Sequence, residues 1–209
     1  MKKFPLAILA VLGIVSMVAN VVTAMTFIYP IITRHFYLDL ITGLDHGTLL
    51  ANYRIVVQYI LLPWVTDLYT PDFIMSASGA FHFWEVKVIY HIMQAIAALF
   101  LATVFIRLKK RKPILPLLNL TSNFIFILFG SLLAGMLIDF DFFFYWFHRL
   151  FFNNDYWLFH PRYDPIILAM PYQLFMIFGI MIVVVLFVVA GVIKGVYYQK
   201  KKTQKTNAT

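Results

Sequence analysis

Long apolar runs alternate with polar segments along this chain, and four of them, at about residues 6–28, 86–106, 115–137 and 174–193, are long enough to cross a bilayer. A helix needs about 20 predominantly apolar residues to span a hydrocarbon core of about 30 Å. The pattern therefore predicts an all-α membrane protein, a four-transmembrane-helix bundle forming one integral membrane domain over residues 1–209. Pro113 and Pro116 stand where the third helix should begin. Proline is tolerated in a first turn because that N–H has no intrahelical partner. Asn119, Thr121, Ser122 and Asn123 follow and are expected to face other helices rather than lipid.

Two polar segments, 29–85 and 139–172, are too long to be simple connections and should carry interfacial helices. In the first, Leu49, Tyr53, Val56, Val57, Ile60, Leu61 and Trp64 recur at steps of three and four, which predicts an amphipathic helix over 48–64 at the outer surface or docked into the bundle. Ser76-Ala77-Ser78-Gly79 reads as the end of a turn-rich stretch. In the second, residues 140–159 are mostly Phe, Tyr and Trp. Aromatic rings concentrate at the lipid–water boundary, but an anchor belt alone has no use for the Asp141, His148, Arg149, Asn154 and Asp155 threaded through it.

Composition sharpens this picture. The chain is 62% hydrophobic and 12% charged, with a mean hydropathy of +0.84. A soluble domain runs at roughly half apolar and a quarter charged, so the bilayer must serve as the missing apolar solvent. The absence of cysteine excludes disulfides, thiol nucleophiles and thiolate metal sites.

The net charge of +8 is distributed by side. Lys2 and Lys3 precede the first run, Arg107, Lys109, Lys110, Arg111 and Lys112 follow the second, and Lys194, Lys200, Lys201, Lys202 and Lys205 follow the fourth, with no acid among them. All nine acids lie in the other polar segments. By the positive-inside rule the hairpin 107–114 and the tail 194–209 are cytoplasmic, and 29–85 and 139–172 face outward. The basic clusters thus report topology and contact with anionic membrane lipids rather than nucleic acid. The first run also resembles a signal peptide, with Val22-Thr23-Ala24 as a cleavage site. It is long for that role, and a retained helix is expected. Cleavage would leave three spans and an external N-terminus.

The six histidines, His35, His46, His82, His91, His148 and His160, fall in the outer segments or the outer part of a span. Four are expected to be packing groups. His82 and His148 have acidic neighbours at helical spacing. Glu85 is three residues after His82, so it shares its face. If the segment around His148 is helical, Asp141, His148 and Asp155, seven apart, also share one. A histidine oriented by a carboxylate is a competent general base near neutral pH. There is no HExxH zinc motif, nucleophile elbow, Walker loop or GxGxxG. The histidines and acids match no familiar metal-ligand spacing, and neither metal nor cofactor is expected. Ser76 and Ser78 are weak candidates for a nucleophile.

Two stretches carry a family resemblance. One is Asn52-Tyr53-Arg54 leading to Ser78-Gly79-Ala80-Phe81-His82-Phe83-Trp84-Glu85-Val86-Lys87. The other joins Asp139-Phe140-Asp141, Phe147-His148, Phe151-Phe152-Asn153-Asn154-Asp155-Tyr156-Trp157 and Pro161-Arg162-Tyr163-Asp164-Pro165. In order and spacing they resemble the lipoprotein intramolecular transacylases, small bacterial four-helix membrane proteins. Glu85 stands where that family leads one to expect Asp, and Tyr172 where it leads one to expect Glu.

The resemblance implies transfer of the sn-2 acyl chain of a diacylglyceryl-cysteine to the α-amine of that cysteine, giving an N-acyl lyso-form lipoprotein. It implies His82 and His148 as the catalytic pair and a diacylated lipoprotein as substrate. The protein is expected in the bacterial plasma membrane with its active site outside; the sequence leaves the oligomeric state open, with a monomer favoured. Tyr53, Arg54, Glu85, Asp141, Asn154 and Asp155 are the expected supporting residues. The other readings are a hydrolase or transferase of another outer-leaflet lipid, and a non-catalytic membrane accessory protein. A transporter would place charges and broken helices near the midplane, whereas the inner halves of these runs carry only amides and hydroxyls.

Overall fold

The computed structural model describes residues 3–206; Lys2 and the end of the predicted tail lie outside them. The chain is helical, with no β-strand among the described residues. Four helices are long and apolar enough to cross a membrane: α1 (Lys3–Ala24), α5 (Ala77–Lys109), α6 (Leu115–Ile138) and α9 (Tyr172–Thr206). Between α1 and α5 lie α2 (Tyr29–His35), α3 (Leu38–Thr42) and α4 (His46–Leu61); between α6 and α9 lie α7 (Phe140–Phe151) and α8 (Ile166–Ala169).

Several boundaries differ from those read off the pattern. The first span ends at Ala24 rather than 28, and Thr26–Ile28 form a 3₁₀ turn into α2, with Pro30 in the first turn of that helix. The second begins at Ala77 instead of 86, so the predicted turn at Ser76–Gly79 is a cap and first turn. Ser76 Oγ accepts from Gly79 N at 3.0 Å, and Ala80 N donates to Ser76 O at 2.9 Å. A serine hydroxyl that satisfies an orphan N–H of the first turn is a strong helix start. The fourth helix runs past 193 to Thr206 through the lysine cluster. Lysine is a good helix former, and positive charge near a C-terminus complements the helix dipole.

The described residues form two compact units. One comprises residues up to Ala19, Met93–Ile138 and Ile180 onward. In it α1 and α5 approach closely at Gly13, where a Cβ would lie 2.4 Å from Phe100 Cβ. Small residues at helix contacts are the usual device of membrane packing, because they let backbones approach. Thr121 and Ser122 are buried and return their hydroxyls to Leu117 O and Leu118 O, so they need no polar partner on another helix.

The other unit comprises Asn20–Ile92 and Asp139–Gly179. Its core is built by Tyr29 and Ile32 of α2, Leu38 of α3, Leu49, Tyr53, Val56, Val57, Tyr59 and Ile60 of α4, Phe73, Phe83 of α5, and Ile166, Ala169, Met170 and Leu174. α4 starts two residues before the predicted helix and stops short of Trp64. Asp45 caps it, accepting from Gly47 N and Thr48 N. Its apolar stripe is docked into this core rather than lying on the outer surface, and Trp64 is left exposed. Tyr29 stacks on Tyr53 at 4.1 Å and donates to Ala169 O at 2.7 Å, which ties the two halves of this unit together. α7 is capped by Asp139, which accepts from Phe142 N. It buries His148 while exposing Phe142, Tyr145, Trp146, Leu150 and Phe151.

Candidate active site

His82 stands in the second turn of α5 rather than opening it. That turn is fixed by a carboxylate far away in sequence. Asp164, 4% exposed, accepts from Ser76 N and Ser76 Oγ, both at 2.8 Å. Gly79 lets this carboxylate approach, since a Cβ there would lie 2.3 Å from Asp164 Oδ1. Ser76 Oγ is thereby committed to Asp164, Gly79 N and Ser78 Oγ, the positions of a cap rather than of a free nucleophile. His148 lies two turns into α7. Its Nδ1 is 2.7 Å from Phe144 O; a carbonyl only accepts, so Nδ1 carries the hydrogen and the ring lone pair is on Nε2.

The two rings meet with centroids 5.8 Å apart, each residue 8% exposed. Aromatic rings enclose them. Trp157 stacks on His148 at 4.6 Å and Phe144 lies 4.1 Å from it. Phe152 meets His82 edge-on at 4.6 Å, and Phe159 does so at 5.7 Å. Burial disfavours the imidazolium. For His148 this moves the pKa below the ordinary histidine value, opposed by the hydrogen bond to Phe144 O.

Polar support reaches the pair from one side. Glu85 Oε2 lies 3.8 Å from His82 Nδ1. Glu85 Oε1 accepts from Asn154 Nδ2 at 2.8 Å. Asn154 is held in turn: its Oδ1 accepts from Tyr156 N, and its backbone carbonyl accepts from Trp157 Nε1 at 3.1 Å. The stretch from Asn154 to Trp157 therefore supplies both the group that holds Glu85 and the ring that stacks on His148.

The other expected supporting residues stand elsewhere. α7 ends at Phe151, so Asp155 is not on its face; it is exposed and pairs with Arg149 Nη1 at 2.9 Å. The run Asn153-Asn154-Asp155 favours turns over helix, and this breaks the seven-residue alignment. Asp141 is exposed two turns from His148, about 10 Å along the axis. Tyr53 is a core residue stacked on Tyr29. Arg54 is exposed and lines a separate cleft of about 260 Å³ with Gln58, Val57, Leu61, Leu62, Ala24 and Thr26. Among the described residues no group of three histidines or carboxylates is placed to hold a metal ion.

Sequence reasoning missed Trp157, Phe152 and the Asp164–Ser76–Gly79 clamp. Asp164 carried a signal, as the last member of Pro161-Arg162-Tyr163-Asp164. Trp157 and Phe152 belong to the family-like motif, but nothing marked them among the aromatic residues of 140–159 as the rings that meet the histidines.

Comparison with known proteins agrees with this architecture. The integral membrane lipoprotein intramolecular transacylase Lit from Bacillus cereus has a similar structure, with a TM-score of 0.90 at 24% identity over 98% of this chain and 96% of that one. Two variants of that protein, with one histidine replaced by arginine or by alanine, give TM-scores of 0.77 and 0.79. Their identities are 22% and 23%, over 99% and 98% of this chain and 95% and 94% of theirs. Identity this low speaks for the fold alone. No curated protein sequence matches the chain. The sequence profile of one family, described as lipoprotein intramolecular transacylase Lit, matches residues 4–175. That match covers most of the sequence, with both histidines of the enclosed pair inside it, and this membrane-integral chain belongs to the lipoprotein intramolecular transacylase family.

Proposed function

We propose that this protein moves the sn-2 acyl chain of a diacylglyceryl-cysteine to the α-amine of the same cysteine, with His82 and His148 as the acid–base pair. The observation that carries this reading is the meeting of the two rings, 5.8 Å apart in an aromatic enclosure, in a chain of this family.

The reaction exchanges an ester for a more stable amide, so no nucleotide or other energy source is required. The nucleophile has a reference pKa of about 7.7–8.0, so a good fraction is neutral near pH 7. One ring takes the proton released as the amine attacks the ester carbonyl. The tetrahedral intermediate then expels the glycerol oxygen, and the same proton, passed from the first ring to the second directly or through water, is delivered to that oxygen. Uptake and return balance, so the pair ends as it began, and burial keeps His148 on the neutral side of that cycle. Amine and ester belong to one molecule, and holding them in line is worth up to roughly 7–11 kcal/mol of barrier. The aromatic walls exclude water, which would otherwise hydrolyse the ester.

Glu85 and Asn154 orient the pair. Tyr53 is buried in the core, and Arg54, Asp141 and Asp155 stand apart from the rings, so none of the four has a part in this scheme. We place the site on the extracytoplasmic side of the plasma membrane, with the first helix retained and the monomer as the working form. No cofactor has a part in this scheme.

Mass spectrometry of the N-terminal peptide of a diacylated lipoprotein tests the reading. With the wild-type protein present, one acyl chain is expected on the α-amine and one on glycerol. A free amine with both chains still on glycerol, or release of a free fatty acid, would overturn it.

A further inference from the structure

Two buried polar atoms in the site have no hydrogen-bond partner, His82 Nδ1 and Glu85 Oε2. They face one another across 3.8 Å. This gap is too wide for a hydrogen bond, whose N–H···O distance is about 2.7–3.2 Å. Buried polar atoms are nearly always satisfied, and an orphan calls for a physical account.

The gap is not slack. Glu85 Oε1 is pinned by Asn154, and Asn154 is pinned by the backbone of Tyr156 and the indole of Trp157. Closing it by turning the carboxylate would break the bond to Asn154. His82 is confined by Phe152 at 4.6 Å, Phe159 at 5.7 Å and His148 at 5.8 Å. One small group hydrogen-bonded at about 2.8 Å to both atoms would subtend 3.8 Å between them at an angle near a right angle. The group must donate to a carboxylate, which accepts only. A nitrogen bearing two or three hydrogens donates to Oε2 and to an imidazole lone pair at once.

We propose that Glu85 Oε2 and His82 Nδ1 form the seat of the substrate's α-amino group, with Glu85 binding the amine directly. The inference rests on the transacylase reading and makes Glu85 the residue that selects a free amine. A substrate whose amine is already acylated has one hydrogen fewer and a bulky carbonyl where the enclosure is filled by rings.

Two synthetic ligands test this. Both are short cysteinyl peptides carrying a glyceryl thioether with two ether-linked alkyl chains, so that no acyl group can be transferred. One keeps the α-amine; the other is the des-amino analogue. Dissociation constants are measured by microscale thermophoresis in detergent. Wild type is expected to prefer the amine by about tenfold or more, the scale of a charge-assisted hydrogen bond in a buried site. Glu85→Gln and Glu85→Ala should reduce the preference to about threefold or less while leaving des-amino affinity unchanged, which also reports that the variants are folded. Glu85→Asp should recover part of it.

A preference that survives in Glu85→Gln would mean that Glu85 only orients the ring, and would overturn the proposal. So would a wild-type protein indifferent to the amine, in which case water fills the gap. Neither outcome depends on turnover. Failure to convert the matching diester peptide would count against the transacylase reading and leave the binding result standing.

Discussion

The two compact units of this chain are made from different chemistry. The unit of residues up to Ala19, Met93–Ile138 and Ile180 onward holds twelve of the seventeen basic residues and no acid or histidine. The unit of Asn20–Ile92 and Asp139–Gly179 holds all nine acids and all six histidines. The first needs only to be apolar where it crosses lipid and positive where it ends, so its buried Thr121 and Ser122 bond to their own helix and most of its charge sits on lysines with flexible stems. The second must keep titratable groups buried against aromatic rings. It does so with fixed partners: Asp164 on Ser76, Asn154 on Glu85, Phe144 O on His148. What separates the units is polar groups whose positions are over-determined, and chemistry requires those.

The sharpest way to break the comparison is to remove the pair. His148→Ala and His82→Ala should each lower the rate of N-acyl lyso product formation by about 10²-fold or more, the usual cost of losing a general acid or base. His35→Ala, in the same unit but exposed, should leave it nearly unchanged. A folded His148→Ala protein at the wild-type rate would remove the histidines from the mechanism.

A second contrast concerns two glycines that serve opposite ends. Gly79→Val puts a side chain into the Asp164 carboxylate and should cost about 1–3 kcal/mol through overpacking, or more if the capping bonds break. Activity should fall with stability, because the same turn carries His82. Gly13→Val collides with Phe100 instead and should lower the thermal midpoint by a comparable amount. In the molecules that remain folded it should leave the pH profile unchanged. Thermal unfolding in detergent, with activity assayed on the folded fraction, separates the two.

Protonation distinguishes the units next. The pKa of His148 is held below the ordinary value by burial, so NMR of the ring should show it titrating at a lower pH than an exposed histidine. Linkage has a definite sign. The unfolded chain binds the proton first, so the stability contributed by the neutral, buried ring is full above about pH 6.5 and declines as pH falls through the lowered pKa. The substrate amine, with a reference pKa of about 7.7–8.0, brings a limb of its own to the rate profile, so the ring itself must be followed; a His148 ring that titrates above about pH 6.5 would contradict the burial argument.

The smallest perturbation is also the cleanest. In this cysteine-free chain, a single cysteine at Lys110 should resist a membrane-impermeant thiol reagent on intact cells, while one at Asp155 should react. The reverse pattern would invert the assigned sides.

By itself the sequence determined the solvent of each region. The spans, the charge asymmetry and the docked stripe of α4 are one-dimensional properties, because an apolar run near 20 residues or a three-four repeat depends only on neighbours in the chain. It also singled out His82, His148, Glu85 and Asn154, through helical spacing and family-like motifs. Only the tertiary structure decided which of these groups lie together. The alignment of Asp141, His148 and Asp155 assumed a helix that the Asn-Asn-Asp run ends, and Asp155 turns instead to Arg149. The start of α5 was hidden because its cap is completed by Asp164, 88 positions away. A helix end settled by a distant carboxylate leaves no periodic trace, and neither does the choice of Trp157 and Phe152 from a belt of similar rings. Hydrophobic pattern is local and additive, whereas hydrogen-bond partners and ring contacts are pairwise and long-range, and the site is built from the second kind.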